Sequence, residues 1–255
     1  MQTGAITQYL DVAQLALYAF WLFFAGLIYY LHRENKREGY PLESDRSGSI
    51  RVQGFPAIPQ PKTFVLPHGG TFSAPNDIRD GRPVNATPVG PWPGAPLEPN
   101  GDPMLAGVGP GAYAMRADTP DLTVDGRPKI VPLRSAPSYS LASGDPDPRG
   151  MPVVGADGLV AGKVSDVWVD LSETLIRYFE VDAYGRTVLL PAPFAKVSSG
   201  RNGMVKVRSI MARHFNDVPG LKNPDQVTFL EEEKIVAYYG GGTLYADPSR
   251  AEPFL

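Results

Sequence analysis

The sequence predicts a single N-terminal transmembrane helix followed by a mainly-β cytoplasmic domain, which contains a small β-barrel and ends in a short helix. Three observations carry this reading. Val12 to Leu31 is an unbroken apolar run. Residues 151–210 divide into short β-branched segments separated by glycine turns. Most of the 27 prolines lie between Pro41 and Pro148, where they exclude regular helix and central strand.

The span comes first. Twenty helical residues rise about 30 Å, the thickness of a bilayer's hydrocarbon core. Residues 12–31 carry no charge, and Gln14 is their one strongly polar side chain. The whole chain has a mean hydropathy of -0.17, so this run stands apart. A signal peptide needs basic residues ahead of its apolar stretch, and residues 1–11 hold none. A core helix would show a polar face, and this one does not.

Arg33, Lys36 and Arg37 follow directly. The positive-inside rule then places residues 1–11 outside as a short tail and the bulk of the chain in the cytoplasm. Tyr29 and Tyr30 suit an inner aromatic belt, and Tyr9 suits an outer one. Together Tyr29, Tyr30, Arg33, Lys36 and Arg37 offer a surface for anionic lipid, each basic residue worth about 1 kcal/mol near such headgroups. Plain anchoring of topology is the alternative.

Residues 32–150 are rich in Pro and Gly, as in "PAIPQPKTFVLPHGG" and "PVGPWPGAPLEPNGDP". Phe64, Val65, Leu66, Trp92, Met104 and Tyr113 recur through them without helical or strand period. Such a segment is expected to lie extended against another surface, with polar Glu43 to Gln53 as a mobile loop. Residues 151–210 read as a barrel: "MPVVGADG", "VAGKVSDVWVD", the hairpin "RYFEVDAYGRTVLLP" and "GMVKVRSI" are successive strand signals. In "RYFEVD", Phe179 and Val181 share one face, and Tyr178, Glu180 and Asp182 share the other. Residues 211–255 contain a helical run from Leu230 to Tyr239, which the glycines at 240, 241 and 242 are expected to stop.

Composition excludes several function classes. A net charge of -3 disfavours a nucleic-acid partner. The absence of Cys removes thiolate nucleophiles and Cys-based metal centres. His32, His68 and His214 lack helical ligand spacing, and there is no H-E-x-x-H, G-x-S-x-G or Walker A pattern. No catalytic, cofactor or metal residue is therefore assigned, and no enzyme activity is expected. The stretch "DVWVDLSETLIRYFEVD" gathers Asp166, Asp170, Glu173, Glu180 and Asp182 around Arg177. It reads either as a solvated strand and loop or as a proton-conducting cluster, because crowded carboxylates raise one another's pKa.

Long stretches now point to a family. "FWLFFAGLIYYL", "ENKREGYPLE", "PKTFVLPHGG", "GDPMLAGVGP", "PKIVPL", "AGKVSDVWVD" and "LEEEKIVAYYGGGTLYA" occur in the order found in the H subunit of the purple-bacterial photosynthetic reaction centre. The chain resembles that subunit over essentially its whole length, and its strand-rich region looks like the PRC-type β-barrel. The resemblance implies a subunit that binds no pigment itself and caps the L and M subunits on the cytoplasmic side. It would shield the quinone sites and help deliver protons to the secondary quinone.

Bacteriochlorophyll, bacteriopheophytin, quinones and non-haem iron would belong to the partner subunits. A surrounding light-harvesting antenna and anionic lipid would complete the setting, in the bacterial inner, intracytoplasmic (chromatophore) membrane with the N-terminus periplasmic. Carried over by position, Asp170, Glu173 and Arg177 match the proton route, and Glu232 of "LEEEK" matches a further acid. Where some relatives place a surface histidine pair, this chain has Asp125 and Arg127. A family Glu ahead of "VT" is Gln226 here, with Asp225 beside it. The alternative functions are a membrane-tethered adaptor with the same barrel in another assembly, and a membrane-anchored enzyme.

Overall fold

The computed structural model describes residues 6, 11–43, 51–78, 80–200 and 203–250. Most of the predicted tail (1–11, with Tyr9) and of the expected mobile loop (43–53) lies outside them. The chain forms two units, Met1–Arg79 and Asp80–Leu255.

In the first unit, α1 spans Val12–Glu34. Asp11 caps it, its Oδ1 accepting the Gln14 N–H at 2.7 Å. None of its residues is buried. Among the described residues it is the one helix long and apolar enough to cross a membrane. A 3₁₀ turn, Asn35–Arg37, extends it beyond Leu31. Short antiparallel ladders follow, β1 (Leu42–Glu43) with β2 (Arg51–Val52) and β3 (Lys62–Val65) with β4 (Thr71–Ala74).

The intervening proline-rich strand offers carbonyls that no ladder satisfies, and the helix end supplies donors. Lys36 is buried; its Nζ donates to the carbonyls of Gln53 at 2.7 Å and Pro56 at 2.6 Å and sits over the Tyr40 ring. Arg37 clasps Glu34 through two 2.9 Å bonds and donates to the carbonyls of Gln60 and Ala74.

The second unit opens with a hairpin, β5 (Ala86–Pro88) and β6 (Leu97–Pro99). A seven-stranded sheet then forms from β7 (Ile130–Pro132), β8 (Pro152–Val154), β9 (Val160–Asp170), β10 (Leu175–Ala183), β11 (Arg186–Pro191), β12 (Ala195–Ser198) and β13 (Met204–Val207). Its order is β11-β10-β9-β8-β13-β12, and β7 joins the far end of β9. All pairs are antiparallel except β8 with β13.

The two ends of this path, β11 and β12, are consecutive in sequence and linked by the 3₁₀ turn Ala192–Phe194. The sheet must therefore curl until its ends meet, which is the barrel the sequence predicts. No ladder closes it among the described residues. Pro191 and Pro193 stand at the seam and lack the N–H groups that closure needs.

Trp168, Leu189, Leu190, Val153 and Val205 fill the core, and Phe215, Tyr238 and Tyr239 seal it. The core takes up both faces of β10: Tyr178, Phe179, Glu180 and Val181 are all buried. Helix α2 (Phe229–Tyr245) lies over it. Contrary to the sequence expectation, α2 does not stop at the glycines but runs through them. A Cβ on Gly241 would lie 3.3 Å from Gly111 Cα, and one on Gly242 would lie 2.3 Å from Ile210 Cγ2. These glycines allow close backbone approach instead of ending the helix.

Candidate functional site

The acidic stretch of β9 and β10 is folded against charged residues from remote segments. Asp170 ends β9 and is 1 % exposed. Its Oδ1 accepts the backbone N–H groups of Ser172 at 2.9 Å and Glu173 at 3.0 Å, which shapes the turn into β10. Thr174 completes that turn at φ 56°, and its N–H returns to the Asp170 carbonyl.

The other Asp170 oxygen faces Lys129 Nζ at 3.4 Å. The same ammonium lies 3.7 Å from Glu173 and 3.6 Å from Asp121. Burial alone would lower the Lys129 pKa, but Asp170, Asp121 and Glu173 together outweigh it and hold it above the ordinary lysine value.

Lys129 reaches this position through a hairpin. The Lys129 N–H bonds the Asp121 carbonyl, the Thr123 N–H bonds the Arg127 carbonyl, and Gly126 turns the tip at φ 77°. Asp125 stands at that exposed tip, paired with Arg127 at 3.4 Å. Among the described residues no ion pair or hydrogen bond joins it to Lys129 or Asp170. It does line a cavity of about 650 Å³ together with Arg127, Leu171 and Ser172, so the hairpin tip and the turn after Asp170 border one opening.

A second acidic group sits farther along β10. Ile176 pairs with Val169 and Tyr178 with Trp168, so Arg177 is an extra residue in a β-bulge. In a regular strand neighbouring side chains point to opposite faces. Here Arg177 and Tyr178 both reach Oε1 of Glu232, at 3.7 Å and 2.8 Å. Tyr178 is buried, and that burial, followed by the Glu232 charge and hydrogen bond, pushes its hydroxyl pKa well above the ordinary tyrosine value.

The three carboxylates of "LEEEK" diverge around α2. Glu231 caps the helix with Thr228, Glu232 meets β10, and Glu233 lies 3.7 Å from Arg116.

A third cluster gathers Asp166, Glu180 and Asp225 not around Arg177, as the sequence suggested for the first two, but around Arg134. Arg134 donates to Glu180 at 2.8 Å, Asp166 at 3.2 Å and Asp225 at 3.1 Å. Trp168 Nε1 adds a bond to the same Glu180 oxygen at 2.9 Å. Lys129 and Arg134 were the residues sequence reasoning missed. Lys129 lies in "RPKIVPL", where a lone lysine beside a buried apolar triplet was the available signal.

Tyr29, Tyr30 and Arg33 are exposed at the end of α1, whereas Lys36 and Arg37 direct their donors to carbonyls and to Glu34. The surface expected to meet lipid headgroups thus narrows to Arg33 and the two tyrosines. Among the described residues no group of three or more His, Asp or Glu could hold a metal ion.

A family model described as "Photosynthetic reaction centre, H-chain N-terminal region" matches residues 4–135, just over half of the chain. The chain belongs to the photosynthetic reaction-centre H-chain family. A second model, for the PRC-barrel domain, matches residues 142–210. The H-chain match and α1 together fit a membrane-anchored, single-pass protein.

In this H chain the acidic groups straddle the family regions. Asp121, Asp125 and Lys129 come from the N-terminal match, while Asp170, Glu173, Arg177 and Tyr178 come from the barrel match. Glu232 comes from the helix beyond both. Packing of three segments, not one local motif, assembles the site.

Proposed function

We propose that this H chain is a non-catalytic, pigment-free cap on the cytoplasmic face of the L and M subunits and that it delivers protons toward the secondary quinone. The N-terminus faces the periplasm, with Arg33, Lys36 and Arg37 marking the cytoplasmic end of α1. Pigments, quinones and iron belong to the partner subunits, and Arg33 with Tyr29 and Tyr30 meets anionic lipid.

One observation carries the proton reading: Asp170, almost fully buried, shares Lys129 with Glu173 and Asp121. Three carboxylates against one ammonium leave an excess of negative charge, which attracts protons from the solvent. Asp125 would take up protons at the surface, and water in the shared cavity would pass them to the Asp170–Glu173 turn. Glu232 would continue the route beside β10, with Arg177 holding its charge. Arg177 keeps its own protons and acts by its charge on Glu232; each step moves a proton between oxygen atoms and forms no covalent intermediate.

The test uses the complex purified through a tag on this chain. Bacteriochlorophyll absorbance should co-purify. Glu173→Gln keeps the side-chain shape and removes the titratable proton. It should leave assembly and the first electron transfer intact and slow proton-coupled reduction of the secondary quinone. A pigment-free preparation sinks the cap reading, and wild-type proton uptake in the variant removes Glu173 from the route.

A further inference from the structure

The opposite edge of the barrel carries a cluster that the proton route does not use. Lys196 on β12 pairs directly across the ladder with Lys206 on β13. Like charges placed opposite each other on adjacent strands destabilise a sheet. Arg208 follows two residues after Lys206, on the same outward face. Among the described residues, none of these three side chains has an ion pair or hydrogen bond. This contrasts with Lys36, Arg37, Lys129 and Arg134, all of which are engaged.

The three cations line one cavity of about 320 Å³, together with Phe194, Ser209 and Thr243. That volume is at the lower end of the range for small-molecule sites. Its wall holds a second anomaly. Ser209 is 5 % exposed, and its hydroxyl has no hydrogen-bond partner among the described residues. A buried hydroxyl without a partner costs free energy, and it can donate to any acceptor brought beside it.

The wall is also firmly held. Arg250 donates to the Ser209 carbonyl at 3.1 Å, and Phe194 stacks on fully buried Tyr239 with ring centroids 5.7 Å apart. Among the described residues the site thus combines positive charge without a counter-ion, an unused donor and a firmly held floor at the seam between β11 and β12.

We infer that the cavity between β12, β13 and the end of α2 binds a phosphate group, held by Lys196, Lys206 and Arg208 with Ser209 as a further donor. A phosphate dianion would relieve the repulsion between the lysines and supply the missing acceptor. Two sources share this chemistry: a phosphate free in solution and one borne by a lipid headgroup.

The test uses the full-length chain in detergent. Inorganic pyrophosphate, dihexanoyl phosphatidic acid and dihexanoyl phosphatidylserine are titrated separately by calorimetry. Saturable binding of pyrophosphate points to a soluble phosphate, and binding of phosphatidic acid alone points to a headgroup. Either should weaken at least about tenfold in Lys196→Ala/Lys206→Ala/Arg208→Ala, since charge-assisted hydrogen bonds are lost.

Ser209→Ala should weaken binding several-fold and leave the charge unchanged. The three basic residues are surface positions, and circular dichroism checks that the variant folds. Phosphatidylserine, whose phosphodiester carries a single charge, should bind more weakly than phosphatidic acid. Absence of binding of all three by the wild-type chain, or equal binding by the triple variant, would overturn the inference.

Discussion

The phenol of Tyr178 donates a 2.8 Å hydrogen bond to Oε1 of Glu232, joining the barrel to the first turn of α2. The bulge at Arg177 brings the neighbouring guanidinium to the same oxygen. One carboxylate therefore answers two side chains that a regular strand would have separated. Helix position, strand irregularity and charge balance meet at this atom.

Tyr178→Phe keeps the buried ring and removes the donor to a charged acceptor. It should destabilise the folded chain by about 2 kcal/mol, measurable by denaturant titration. The pH dependence has a definite sign. The Tyr178 hydroxyl pKa is raised in the folded state, so the folded chain retains a proton that the unfolded chain releases near pH 10. Its contribution is complete below that pH and is lost as pH climbs through the raised value. Buried Tyr238 and Tyr239 shift in the same direction. Stability should therefore fall above about pH 10, and less steeply in Tyr178→Phe. An identical alkaline slope in the variant would count against this assignment.

Lys129→Met leaves Asp170 as a buried charge without its ammonium. Removing one partner of a buried pair is costly, and because Lys129 retains some water contact the loss should be about 3 kcal/mol. Asp170→Asn on the same background should recover much of it, since an amide oxygen can still accept the N–H bonds of the turn. Thermal unfolding of the two single variants and the double variant gives the coupling. Strictly additive losses would mean that Lys129 and Asp170 do not act as a pair.

The membrane span was legible because hydropathy belongs to one continuous segment. The barrel was legible because its strands alternate with glycine turns at short spacing. Asp170, Glu173 and Arg177 lie within eight residues, so their proximity was visible too. Their counter-charges were not. Lys129 reaches Asp170 only because β7 pairs with the end of β9, and no local pattern announces that pairing. The burial of both faces of β10 was hidden for the same reason: α2 covers one side only after the chain has folded.

The glycines of α2 show the converse, a local signal overruled by packing. Ala at position 242 would gain up to about 1 kcal/mol of helix propensity. Its Cβ would also strike fully buried Ile210 and lie 3.0 Å from the Ser209 carbonyl. Overpacking costs about 1–3 kcal/mol, so Gly242→Ala should be destabilising overall. Val236→Ala, at an exposed position of the same helix, should be close to neutral. Chemical denaturation of both variants checks this, and a stabilised Gly242→Ala would refute the close-packing account.

The order of residues in the proposed proton route has its own kinetic signature. Asp125 is exposed at a hairpin tip, where water can replace it as the first acceptor. Asp125→Asn should therefore slow proton uptake only slightly. Glu173 is itself exposed but is tied to Lys129, whereas Glu232 lies deeper beside Tyr178. Glu173→Gln and Glu232→Gln should each slow it more. If both lie on one route in series, the slower step limits the flux, and the double variant should be about as slow as the slower single variant. If they serve separate routes, losing both should slow uptake far beyond either alone. Flash-induced absorbance of the secondary quinone, recorded with a pH-indicator dye across neutral pH, distinguishes the two. Glu173 lies in the turn that leads into β10, and the bulge of that strand turns Arg177 toward Glu232; this continuity favours the series, so the double variant should match the slower single.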